Sequence, residues 1–115
     1  MQHKYRLTHS DEFKRVRRNG TSYAHPLVVL IAQASEQQSL RVGVTAGRTV
    51  GNAVQRNRAK RLLREAIRSM FPSLASGWDL VLVARSGMVN ASLEDTRAAL
   101  ATLLHRAGLT PLDES

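Results

Sequence analysis

The hydrophobic positions of this 115-residue chain fall into separate periodic blocks. The first begins near Ser10. Ser10 is a candidate helix cap, Asp11 and Glu12 suit the positive end of a helix dipole, and Phe13 and Val16 fall on one face. Gly20 offers a stop, so a short helix is predicted. Thr21 to Ala24 reads weakly as a strand, and Leu27 to Ile31, after Pro26, as a buried one. Ser35 to Ser39 is polar and reads as a hairpin loop. In the next block, apolar residues recur at 40, 42, 44 and 46 with a period of two. The opposite face of that strand carries Arg41, Gly43 and Thr45, and is predicted to be open or to face a ligand.

Gly51-Asn52 breaks this alternation. Asn52 followed by Gln55 forms a capping-box pair. A long helix is predicted from about Ala53 to Met70, ended by Phe71-Pro72. Leu80 to Ala84 is apolar at every position, as in a central strand covered on both faces. Ser92 with Asp95 starts a last helix. Its stripe is Leu93, Leu100, Leu103, Leu104 and Ala107, and Gly108 ends it. Residues 109–115 read as a frayed tail. The order is α-β-β-β-α-β-α, an α+β domain with three helices on a small sheet of about four strands, spanning residues 1–115.

Charge sharpens this picture. Seventeen Lys and Arg against nine Asp and Glu give a net charge of +8. Residues 1–68 hold 14 basic and four acidic groups, whereas residues 69–115 hold three basic and five acidic ones. A polyanion-binding face explains that asymmetry better than solubility does. The absence of cysteine excludes disulfides and Cys-based zinc sites. MQHKYRL lacks the apolar region of a signal peptide, and no stretch reaches the ~18 apolar residues of a membrane span. A soluble, cytoplasmic protein is expected, with an anionic membrane surface the weaker alternative partner.

The long helix carries the candidate chemistry. At about 100° per residue, Ala59, Leu62, Leu63, Ala66, Ile67 and Met70 share one face. Arg56, Asn57, Lys60, Arg61, Arg64 and Arg68 share the other, and Arg58 falls to the side. Arg56, Lys60, Arg64 and Arg68 form a ridge of like charges four apart, with roughly 0.2–0.5 kcal/mol of repulsion per pair. A merely solvated face normally interleaves acids. Here only Glu65 can relieve the repulsion, through Arg61 and Arg68. Phosphates suit such a ridge, because the guanidinium fork binds their oxygens bidentately.

The run from Arg41 to Ala66, RVGVTAGRTVGNAVQRNRAKRLLREA, resembles the signature of the bacterial ribonuclease P protein: an RVGF-type strand, a turn, then GNAV-x-RNR-x-KR-x-x-RE. Arg6-Leu7 with Asp11-Glu12-Phe13-x-x-Val16 and Gly20 resembles that family's first helix, and Trp78 to Arg85 its late strand. The resemblance implies a mixed four-stranded sheet with a left-handed βαβ crossover. It implies an endoribonuclease subunit that supports removal of the 5′ leader of precursor tRNA, with the catalytic RNA and the precursor as partners. Arg48, Arg56, Asn57, Arg58, Lys60, Arg61, Arg64 and Arg68 would contact RNA. Phe13, Arg17, Ile31 and Arg41 would line a cleft for the single-stranded leader. Phe13 there either stacks on a base or simply packs in the core. The sequence departs from the family where it has Arg48-Thr49 instead of two lysines, Arg17 instead of an aromatic, and Ile31 instead of tyrosine.

No catalytic constellation belongs to the chain itself. Its carboxylates are scattered and His3, His9, His25 and His105 lack ligand-like spacing. No cofactor or metal is expected on the protein, and the resemblance assigns Mg²⁺ and the hydrolysis to the RNA. No membrane or protein partner is evident. Three rivals are weaker. A structural RNA-binding protein does not account for the RNR-x-KR-x-x-RE block, a DNA-binding regulator would need a helix-turn-helix pair, and a protein nuclease would need an acidic cluster.

Overall fold

The computed structural model describes residues 6–110. Three helices, α1 (Ser10–Asn19), α2 (Ala53–Met70) and α3 (Leu93–Arg106), surround four strands, β1 (Thr21–Ala24), β2 (Val28–Ala34), β3 (Arg41–Ala46) and β4 (Trp78–Ala84). The sheet order is β1-β2-β4-β3. β4 pairs antiparallel with β2 and parallel with β3. Its unbroken apolar run therefore sits in the middle, covered on both faces.

That placement corrects one expectation. The polar stretch 35–39 does not close a hairpin, because β4 lies between β2 and β3. The stretch instead passes the start of β4, where the Ser35 N–H donates to the Gly77 carbonyl at 2.8 Å.

Strand alternation divides the sheet into two unequal faces. Val28, Leu30, Val42, Val44, Leu80 and Leu82 point to the main core, where Leu63 and Ile67 of α2 and Leu100, Leu103 and Leu104 of α3 close over them. The apolar cluster on the other face is small: Leu7, Val16, Ile31 and Val81 are buried, with Phe13, Val29 and Val83 packed beside them. Here α1 is the cover, and it contributes a single fully buried residue, Val16.

α2 and α3 begin where the sequence places them. Capping boxes are formed by Asn52 with Gln55 and by Ser92 with Asp95. α1 starts one residue early: Ser10 is its first residue, and His9 takes the cap position without a side-chain bond. The His9 carbonyl already receives the Glu12 and Phe13 N–H groups. Gly20 follows α1 in an extended conformation, so its role is steric rather than conformational. A Cβ there would lie 2.7 Å from the Val16 carbonyl oxygen and 2.8 Å from that of Ala32. The frayed tail is also corrected at its first residue. Leu109 is 2% exposed, and its carbonyl accepts the Ala75 N–H at 2.8 Å. Residues 111–115 lie outside the described residues, as does His3.

Gly20→Ala should destabilise the domain by about 1–3 kcal/mol, because both blocking atoms are backbone. At roughly 4–8 °C per kcal/mol in a domain near this size, its thermal midpoint should fall by at least about 4 °C. Gly47→Ala, whose Cβ would meet nothing within 4 Å, should leave the midpoint unchanged in the same melt.

Candidate nucleic-acid interface

The basic face of α2 is open along its length. Asn57, Lys60, Arg61, Arg64, Glu65 and Arg68 line a shallow depression of about 410 Å³. The ridge inferred from the four-residue spacing is thus assembled, but its members differ. Arg56 directs one guanidinium nitrogen to the Gly51 carbonyl at 2.8 Å. Arg68 pairs with Glu65 at 2.6 Å, so part of its charge is compensated. Lys60 and Arg61 carry their charge in the depression itself. Burial, and then the charge of Arg6, pulls the Arg64 pKa below the usual arginine value. Arg6 precedes α1, where it forms a parallel bridge with Val42 at the outer edge of β3. It extends the cationic surface across an element boundary that helix periodicity alone does not cross.

Arg58 is placed differently. Its guanidinium donates to the carbonyls of Met88, Val89 and Ala91 at 3.4, 3.3 and 2.8 Å. These acceptors belong to the 3₁₀ turn Ser86–Asn90 and to the residue after it. The side chain that falls beside the ridge on the helical wheel therefore ties α2 to the start of α3. Arg48 stands exposed in the 3₁₀ turn Arg48–Val50, next to the first turn of α2.

On the thin side of the sheet, α1 stops short of covering every strand position. Cross-strand register sets the rows. Ser22, Ile31, Val81 and Gly43 form one, and Ala24, Val29, Val83 and Thr45 the next. Phe13 lies on the first row. A Cβ on Gly43 would be 2.5 Å from its Cζ, so glycine is what lets the ring rest on β3. The second row stays partly open. Phe13, Val29 and Val83 are half-buried at the margin of the small apolar cluster, and Arg17 of α1 is exposed.

Of the residues expected to line a cleft between α1 and the sheet, Ile31 is 6% exposed and packs with Leu7, Val16 and Val81 under α1, with Val29 and Val83 one row further on. Arg41 faces a depression of about 490 Å³ beside α1, which Glu12, Arg15 and Asp79 also line.

That charged cluster is what sequence reasoning missed. Asp79 of β4 is 1% exposed. Its carboxylate accepts from Arg41 Nε at 3.1 Å and Nη2 at 3.0 Å, and from Arg15 Nη2 at 2.7 Å. Arg41 also donates to Glu12 at 2.8 Å, and Arg15 to Gln33. Gln33, Asp79 and Arg41 form a third row across β2, β4 and β3, whereas Glu12 and Arg15 come from α1. Hydrogen bonding to Asp79 raises the Arg41 pKa despite the opposing effect of burial. Burial alone would raise Glu12. The Arg41 hydrogen bond and charge, helped by the His9 and Thr8 backbone, outweigh it and hold Glu12 below the usual carboxylate value. One clue was available: Asp79 shares strand parity with Val81 and Val83, and a buried acid requires partners.

Among the described residues no group of three or more His, Cys, Asp or Glu could hold a metal ion. None of their helices is long and apolar enough to cross a membrane.

Residues 1–108 match the family model described as Ribonuclease P. The chain belongs to the ribonuclease P protein family. A "Ribonuclease P protein component" from Herpetosiphon aurantiacus is 37% identical over 109 residues, covering 95% of this chain and 89% of the relative. The structure is similar to that of the Staphylococcus aureus RNase P protein, with a TM-score of 0.83 and 25% identity over 92% of this chain and 97% of that one. It is also similar to the RNase P protein from Thermotoga maritima, with a TM-score of 0.79 and 26% identity over 88% and 96% of the two chains. Membership gives the chain its role, tRNA 5′ processing together with an RNA subunit.

Arg56 and Arg58 should separate in a salt titration of RNA-subunit binding. Loss of a phosphate contact flattens the log–log slope by about 0.7–0.9 per contact. Ala at Arg56, Lys60 and Arg64 together should flatten it by roughly two units and weaken binding strongly, with folding intact. Arg58→Gln should lower thermal stability while leaving the slope as it is.

Proposed function

We propose that α2 binds the catalytic RNA of ribonuclease P, and that the groove between α1 and the open sheet row receives the single-stranded 5′ leader of precursor tRNA. The observation that carries this reading is that one small domain presents two unlike surfaces. α2 presents a cationic face, which suits the phosphates of a folded RNA. The groove floor is uncharged, built from Ala24, Val29, Val83 and Thr45. Such a floor suits unstacked bases, and Phe13 at its edge offers a ring on which one can rest.

The hydrolysis belongs to the RNA with its own Mg²⁺ in this reading. The chain's part is to screen repulsion between two polyanions and to hold the leader in place. Among the described carboxylates, the buried Asp79 is occupied by guanidinium groups, and Glu12 faces Arg41. A role on precursor tRNA also places the chain in the cytoplasm.

The test is cleavage of precursor tRNA by a bacterial ribonuclease P RNA at low Mg²⁺. Adding the protein should stimulate cleavage strongly, and the protein alone should give none. Tight RNA binding without stimulation would instead indicate a structural RNA-binding protein. Cleavage without the RNA would place the chemistry in the chain.

A further inference from the structure

We propose that Asp79 is a positioning residue for leader recognition. By holding Arg15 and Arg41 it fixes α1 over the sheet, and so places Phe13 and Arg17 on the groove wall, while the four charged groups make no contact with RNA. The inference rests on the reading that the groove receives the leader.

α1 cannot hold its own place. A ten-residue helix is marginal in isolation. Among its residues only Val16 is fully buried, and the small apolar cluster beneath it is a weak anchor. The charged cluster supplies the missing constraint from both sides of Phe13. Glu12, one residue before the ring, bonds Arg41 of β3 at 2.8 Å. Arg15, two residues after it, bonds Asp79 of β4 at 2.7 Å and also Gln33 of β2. α1 is thus tied to three strands through one row of the sheet, and Asp79 is the shared acceptor at its centre. The ring between the two ties rests where Gly43 leaves room. A shift of α1 would carry Phe13 and Arg17 with it.

The cluster holds two cations and two anions, so it presents little net charge to the groove. Asp79 itself is too buried to meet a ligand. Positioning and direct contact therefore predict opposite signs when its charge is removed. Asp79→Asn removes the charge that two guanidinium groups share and weakens their ties, while Arg41 keeps Glu12 and Arg15 keeps Gln33. If the cluster touched the leader, the gain of one net positive charge would strengthen binding; if the cluster positions α1, leader binding weakens despite that gain.

The experiment uses holoenzyme reconstituted with a bacterial ribonuclease P RNA. Kd is measured for precursor tRNA with its leader and for the same tRNA without it, and their ratio is the leader increment. Asp79→Asn should reduce this increment at least about fivefold, the lower end of what one stacked base contributes. The affinity of the protein for the RNA subunit should stay within twofold, because α2 packs on the other face of the sheet. Glu12→Gln breaks one tie, leaves the Asp79 pairs in place, and should reduce the increment by a smaller factor. It decides the matter if circular dichroism shows Asp79→Asn to be unfolded. An increment that rises or stays unchanged in the folded variants overturns the proposal. So does RNA-subunit affinity falling in step with the increment, which marks a general structural defect. If wild-type holoenzyme shows no increment, the leader groove itself is wrong, and the positioning role falls with it.

Discussion

An ionised carboxylate cannot be left alone in a protein interior. Asp79 is therefore the constraint around which one side of this molecule is arranged. Its three guanidinium contacts come from residues 38 and 64 positions away in sequence. They can form only when β3 and β4 are in register and α1 lies across both. Removing one partner of a fully buried ion pair typically costs about 3–5 kcal/mol. Solvent screening lowers that figure here, because Arg15 is 37% exposed. The carboxylate thus favours one position of α1 above others that the few apolar contacts beneath it would tolerate. Beside the row that α1 covers, another row of the sheet is left partly open, and that row is the proposed leader site.

Two kinds of packing divide the labour between the faces. On the α2 and α3 side, leucines, isoleucine and valines interlock in the main core. That side sets global stability. On the α1 side the cover is short, ion pairs supplement its apolar contacts, and the apolar cluster buries four residues. A region held in this way opens more readily than the core. Recognition of a flexible single strand fits the softer face, whereas contact with a large folded RNA fits a helix rigidly backed by the core.

The sequence made some of this legible and hid the rest for definite reasons. α2 could be delimited because its start and stop signals, Asn52 with Gln55 and Phe71-Pro72, are local. β4 could be placed at the centre of the sheet because an unbroken apolar run needs cover on both faces. The hairpin assigned to residues 35–39 failed because two strands joined by five polar residues look the same locally whether or not a third strand comes between them. The cleft residues were less legible still. Ile31 has the parity of a cleft residue, but which row α1 covers depends on the register of Arg41 with Asp79, and no local pattern carries that. Arg58 sat off the ridge by its angle on the helix. Its acceptors, around residue 90, could not be named before the chain folded.

The ridge on α2 shows how a sequence keeps a feature that works against its own helix. Repulsion along Arg56, Lys60, Arg64 and Arg68 is on the order of 1 kcal/mol in sum, and no acid occupies the first turn to favour the dipole. The helix survives because its other face is committed to the core. Leu63 and Ile67 are completely buried, each contributing about 1.5–3 kcal/mol. Asn52 and Gln55 satisfy the first backbone N–H groups that an acid might otherwise have served. Burial on one face outweighs repulsion on the other by a factor of several, so the cationic face can stay largely uncompensated. Only Arg68, at the far end, is relieved by Glu65. The compensation thus lies at the end of the ridge farthest from Arg56, and Lys60, Arg61 and Arg64 keep their charge in the depression between.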